Sequence, residues 1–104
     1  MPLNSWSDTI TIAELGDEPM FSEDMDALVD QLDAIRHEGD EGVPHVIVDL
    51  QNVFSVNSSN LGSLLRIRKL LEACHRRLLI CSVNDSIWSA MIATGLDRLF
   101  SFAS

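Results

Sequence analysis

Two short apolar runs, residues 46–50 and 78–83, are separated by a stretch that repeats Leu and Ile at helical spacing. That arrangement constrains the fold more than any other feature of the chain. A strand, an amphipathic helix and a second strand in this order make a crossover unit with parallel strands. Right-handed crossovers are the default for such units. The run from His45 to Leu50 is nearly continuously apolar, which predicts a central strand covered on both faces. Residues 78–83 (Leu-Leu-Ile-Cys-Ser-Val) predict another buried strand.

The same alternation extends to both sides. Residues 9–15 alternate β-branched and apolar side chains, so they predict a strand with one buried face, broken by Gly16-Asp-Glu-Pro19. Ser22 is the expected N-cap of a first helix, with Glu23 and Asp24 in its first turn, where negative charge suits the helix dipole. Met25, Leu28, Val29, Leu32 and Ile35 form its apolar stripe, and Gly39 ends it. Residues 37–44 make a charged, exposed connection. In the second helix Leu61, Leu64, Leu65, Ile67, Leu71 and Cys74 face inward, while Arg66, Lys69, Glu72 and Arg76 mostly face out. Asn84 or Asp85 caps a third helix with Ile87, Trp88, Met91 and Ile92 on its apolar side, and Gly95 stops it. Leu99, Phe100 and Phe102 place a short helix or a final edge strand at the end. The expected fold is α/β, a single-layer, mixed and mostly parallel sheet with alternating helices. With 104 residues it forms one domain over 1–104, residues 1–8 being a loose N-terminal tail.

Charge narrows the function classes. The net charge of −9 argues against nucleic-acid binding, because phosphate contact needs a basic surface. The charges are also segregated: thirteen of the sixteen acids lie at or before Asp49, and six of the seven bases at or after Arg66. Two differently solvated faces explain this, and so does a bipolar surface that orients a protein partner. No basic segment followed by an apolar stretch opens the chain, and no apolar run is long enough to insert in a membrane. Cys74 and Cys81 are expected as reduced thiols in apolar settings, which fits the cytoplasm.

Enzyme signatures are missing. Neither a phosphate-binding loop nor a dinucleotide fingerprint occurs, and the serine turn lacks the Gly-x-Ser-x-Gly elbow of hydrolases. His37, His45 and His75 fall at element ends away from that turn, so no triad is expected. Cys74-His75 has no second pair at metal-ligand spacing, and Glu38, Asp40 and Glu41 do not match a calcium loop. The expectation is a binding protein with no catalytic residue, metal or cofactor.

What remains is the turn Val56-Asn57-Ser58-Ser59-Asn60-Leu61-Gly62, where the second helix begins. Two roles fit hydroxyls at a helix N-terminus. One is capping by Asn57 or Ser58, worth about 1 kcal/mol. The other is a modification site, since a phosphate here sits on unpaired N–H groups at the positive end of the helix dipole.

The segment 46–102 resembles a STAS domain of the anti-sigma factor antagonist type. In that family a strand ending in Asp-Leu leads to Asp-Ser-Ser/Thr-Gly-Leu-Gly and a leucine-rich helix. Asp49-Leu50, Ser58-Ser59 and Leu61-Gly62 keep that frame, and Thr94-Gly95-Leu96-Asp97-Arg98-Leu99-Phe100 resembles the family's Thr-Gly-Leu-x-x-x-Phe ending. The resemblance implies that Ser58, or else Ser59, is phosphorylated by an anti-sigma factor serine kinase. It also implies that the unmodified protein, a monomer, forms a heterocomplex with this kinase through Asn57, Ser58, Ser59, Asn60, Gly62 and Arg66. Asn57 and Asn60 depart from the family's Asp and Gly. Asn caps as well as Asp and tolerates positive φ, so the backbone is preserved while a charge is lost. That departure fits an alternative, a non-phosphorylated STAS interaction module such as a cytoplasmic transporter accessory subunit or a signalling-scaffold component.

Overall fold

The computed structural model describes residues 3–7, by backbone alone, and 9–103. Five strands form one sheet, β1 (Leu3–Ser7), β2 (Ile10–Gly16), β3 (His45–Asn52), β4 (Leu78–Cys81) and β5 (Ser101–Ala103), side by side in chain order. β1 runs antiparallel to β2, and every later pair is parallel. The parallel crossovers are α1 (Met20–Glu38), α2 (Ser58–Ala73) and α3 (Asp85–Thr94). The α/β class and the mixed, mostly parallel single sheet are those expected from the alternating pattern.

Because the spatial order never reverses, right-handed crossovers carry all three helices to one face of the sheet. Burial follows the register. Ala13, Val48 and Ile80 pair across β2, β3 and β4 and are fully buried under the helices. Their neighbours on the opposite face, Ile12, Ile47 and Leu79, pair in the next row and are only half-buried. β3 and β4 are therefore covered on one face, not on both. An apolar run marks a strand interior, but covering its second face needs a reversal of strand order that this chain lacks.

Other expectations are corrected locally. The segment expected as a loose tail contains β1, which pairs through its backbone with the edge of β2; residues 1, 2 and 8 lie outside the described residues. Leu-Asn-Ser-Trp-Ser carries no sustained alternation, so nothing in its side chains announces a strand. Ser22 lies inside α1, which starts two residues earlier at Met20. Glu18 performs the capping instead: its carboxylate accepts from the Ser22 N–H at 2.7 Å and the Ser22 hydroxyl at 2.5 Å. The apolar stripe of α3 is narrower than its sequence suggests. Ile87 and Met91 are buried, whereas Trp88 and Ile92 are largely exposed, Trp88 packing edge-on against Phe102 of β5. Gly39 and Gly95 end α1 and α3 with φ of 151° and 75°, conformations that side-chain-bearing residues rarely adopt.

A single core results, between the helices and one face of the sheet. Phe21, Met25, Leu28 and Leu32 of α1 and Leu64, Ile67 and Leu71 of α2 pack on the covered face of the sheet. Arg76, expected to face outward, turns back to tie loops together: its guanidinium donates to the carbonyls of Val43 (2.6 Å) and Glu41 (3.1 Å). Both cysteines are free thiols. Burial raises the Cys81 thiol above its ordinary value, and Asp49 adds to the effect. Among the described residues no helix is long and apolar enough to cross a membrane.

Candidate functional site

The loops after β2, β3 and β4 all emerge at the carboxyl edge of the sheet, where parallel α/β proteins place their sites. The central one carries the serine turn. After β3, the Val53 N–H closes a turn onto the Leu50 carbonyl at 3.0 Å, and the Val53 side chain is buried. The chain then extends to Asn57, the N-cap of α2, with φ −107° and ψ 177°.

Asn57 and Asn60 cap α2 reciprocally. The Asn57 side-chain oxygen accepts from the Asn60 N–H at 2.8 Å, and the Asn60 side-chain oxygen accepts from the Asn57 N–H at 3.0 Å. This is a capping box built from two amides in place of the usual hydroxyl and carboxylate. The Asn60 amide also donates to Glu18 Oε2 at 3.3 Å, linking the start of α2 to the start of α1. Asn60 is 2% exposed, the one buried polar residue among those described. Expected at a partner surface, it is turned inward, because its amide satisfies groups on both loops.

With capping assigned to Asn57 and Asn60, the serines are released from it. Ser58 and Ser59 are the first two residues of α2 and both are exposed. Neither hydroxyl has a hydrogen-bond partner among the described residues, while the Ser59 carbonyl accepts from the Ser63 hydroxyl at 3.1 Å. Ser58, Gly62 and Arg66 recur at i, i+4 and i+8, so they line one stripe of α2. All three are exposed, and Asn57 is exposed beside them. A Cβ at Gly62 would meet nothing within 4 Å, so its own fold does not require glycine there. The expected site residues therefore assemble on one surface, with Asn60 beneath it.

Electrostatics reinforce the division. No acid occupies the first turn of α2, so the positive end of its dipole is not neutralised by its own side chains. Glu18 stands nearby with its carboxyl held below the ordinary glutamate range by hydrogen bonds from the Ser22 side chain, the Ser22 backbone and Asn60. A recess of about 340 Å³ opens between Asp17 and Glu18 on one side and Val56 and Asn57 on the other. Among the described residues no group of three His, Cys, Asp or Glu converges as a metal site.

Two contributors, Glu18 and Phe54, and a second role of Asn84 are not legible in the sequence. Glu18 reads as part of a chain break, and its role appears only once Asn60 is seen to reach it. Asn84 was expected as a cap and does cap α3, accepting from the Ile87 N–H at 2.8 Å. Its amide also donates to the carbonyls of Val53 (3.1 Å) and Phe54 (3.0 Å). Phe54, whose N–H donates to Asp17 Oδ1 at 2.9 Å, projects an 81% exposed ring from this framework. An aromatic residue in a polar turn was the available signal.

No curated protein matches this sequence closely enough to count as a relative. Solved structures resemble the fold. A Thermotoga maritima protein, TM1081, described as a candidate anti-sigma factor antagonist, superposes with a TM-score of 0.79 at 18% identity, covering 99% of this chain and 85% of that one. The anti-sigma factor antagonist SpoIIAA in its unphosphorylated form gives 0.71 at 15% identity, with 98% and 86% covered. The phosphorylated form of the Bacillus cell fate determinant SpoIIAA gives 0.70 at 16% identity, with 98% and 89% covered. The STAS domain model matches residues 8–104, nearly the whole chain, and by that match this chain belongs to the STAS domain family.

Proposed function

We propose that this chain is an anti-sigma factor antagonist that binds a cognate anti-sigma serine kinase and is released from it by phosphorylation of Ser58. The observation that carries the reading is the free Ser58 hydroxyl, exposed at the first position of a helix whose capping is done by other side chains. Such a hydroxyl is open to a kinase without loss of any hydrogen bond of the fold. The STAS family and the structural likeness to SpoIIAA, known in unphosphorylated and phosphorylated forms, support it.

The switch follows from charge. Phosphorylation adds nearly two negative charges and three acceptor oxygens at the N-terminus of α2. The helix dipole and unpaired N–H groups accommodate them within the chain. A partner packed along the Ser58–Gly62–Arg66 stripe meets them as repulsion and bulk, so binding is lost while the fold is kept. In this reading the protein is a substrate and a partner, works in the cytoplasm and catalyses nothing.

The test is incubation with the cognate kinase and ATP, read by intact mass. A single phosphate is expected on the wild type and none on Ser58→Ala, which keeps its kinase complex. A wild type that gains no phosphate and forms no complex overturns the proposal.

One observation favours a second reading. The family's Asp before the serine is Asn57, whose side chain is committed to the capping box. If recognition of the serine needs a carboxylate there, the chain acts as a non-switching STAS module of a transporter or signalling scaffold. Its complex with that partner then persists unchanged in Ser58→Ala and in Ser58→Glu.

A further inference from the structure

We infer that Phe54 is the anchor through which this chain docks on its kinase partner, an inference that rests on the antagonist reading above. At 81% the ring is the most exposed of the large apolar side chains described, ahead of Met20 (54%), Ile92 (53%), Leu99 (45%) and Trp88 (40%). It therefore contributes little to the core, yet its backbone is hydrogen-bonded on both sides by other loops. The Phe54 N–H is held by Asp17 from the loop after β2, and its carbonyl by Asn84 from the loop after β4. The same Asn84 amide holds the preceding carbonyl of Val53, whose side chain is buried at 2%. Three loops thus converge to fix one residue whose side chain points into solvent.

Fixing an exposed aromatic has no return for folding and a clear one for binding. An apolar side chain on a rigid backbone loses less conformational freedom on association than one on a mobile loop. Hot-spot residues are typically such aromatics, seated in a desolvated pocket of the partner. The ring stands as a ridge between two recesses, about 340 Å³ on the Asp17–Asn57 side and about 210 Å³ on the Gln51–Asn84 side. A complementary surface therefore has an apolar pocket for the ring flanked by two ridges.

Charge defines the rest of that surface. Asp17, Glu18 and Asp85, at the starts of α1 and α3, are the charged residues of the loops that clamp Phe54, and all are acidic. The matching rim on the kinase is basic opposite these three acids and carries no base where it faces Ser58, so a phosphate there is buried without a countercharge. Ser58 lies four residues beyond Phe54 in the same loop-to-helix passage. Phe54 supplies affinity and Ser58 control: a phosphate enters the edge of the footprint that the ring has already desolvated.

The experiment is titration of the purified cognate kinase with wild type, Phe54→Ala, Phe54→Leu and Ile92→Ala, alongside thermal melting of each. Phe54→Ala is expected to weaken binding about 30-fold or more, the equivalent of the ~2 kcal/mol that marks a hot spot. Its melting temperature should stay at the wild-type value, because the ring is exposed. Phe54→Leu should retain part of the affinity, and Ile92→Ala, an exposed apolar side chain of α3 away from the three loops, all of it. Phe54→Ala binding within about twofold of wild type overturns the anchor while leaving the antagonist reading intact. Wild type that does not bind the kinase at all removes that reading, and the anchor with it.

Discussion

The starts of α1 and α2 are neighbours, joined by the hydrogen bond from Asn60 to Glu18, yet they are finished with opposite chemistry. At α1 the residue in the N-cap position is Pro19, which offers no side-chain acceptor, and the Glu18 carboxylate takes the Ser22 N–H and hydroxyl. At α2 two neutral amides satisfy each other's backbone and no acid enters the first turn. One helix end receives its countercharge from the chain. The other is hydrogen-bonded without an acid in its own first turn, and it is the one that displays Ser58. A carboxylate fills a dipole permanently, whereas a modifiable hydroxyl lets that charge be added later.

Breaking the amide box tests this contrast most severely. Asn60→Ala removes the acceptor for the Asn57 N–H and the donor to Glu18, and it empties a site that is 2% exposed. Loss of a buried hydrogen-bonded side chain of this kind costs about 2 kcal/mol. In a domain of this size, that corresponds to a drop in Tm of roughly 8–16 °C. Denaturant unfolding and thermal melting measure both. A loss below about 0.5 kcal/mol would mean that the box contributes nothing beyond an ordinary surface pair.

Asn57→Ala comes next. It removes only an exposed cap, so about 1 kcal/mol is expected. Because the two amides act on each other, the double variant should lose less than the sum of the singles. Full additivity in denaturant unfolding would show that the two bonds are independent. Asn84→Ser should be smaller still on stability, a few tenths of a kcal/mol, since serine also caps well. It nevertheless removes the donor to the Val53 and Phe54 carbonyls. Hydrogen exchange at the Phe54 N–H should therefore accelerate while global stability hardly moves. Unchanged exchange there would show that Asp17 alone holds the loop.

What sequence could and could not foresee divides along the same line. The alternation of strands and helices, the stops at Gly39 and Gly95 and the cap at Asn84 are local, and each is written in one short segment. The inward turn of Asn60 is not local. It depends on Glu18, forty-two positions away, and on a chain path that brings two loops to one edge of the sheet. Ser22 has the residue type of a cap, but Glu18, four residues earlier, takes both its N–H and its hydroxyl. The uncovered face of β3 escaped for a topological reason: an apolar strand reads alike whether one or both of its faces are packed. Phe54 illustrates the converse. Its residue type is visible in the sequence, but its significance lies in Asp17 and Asn84 holding the backbone from two other loops.

The smallest expected effect concerns the charged cap itself. Glu18 is exposed, and hydrogen bonds from the Ser22 side chain and backbone, then Asn60, hold its carboxyl below the ordinary glutamate range. A group whose pKa is lower folded than unfolded favours folding while it is ionised in both states. Its contribution is therefore fully present above the unfolded value of about 4.3 and fades as pH falls through the lower, folded value. Glu18→Gln keeps an acceptor oxygen for Ser22 but cannot titrate, so it should flatten this part of the acid limb by lowering stability slightly at neutral pH. Because the carboxylate faces solvent, the effect is small and should shrink further with added salt. Denaturant midpoints of the two proteins between pH 3 and 7 should converge at the acid end. A constant offset across that range would assign the role of Glu18 to packing, and α1 would then start without a charge, as α2 does.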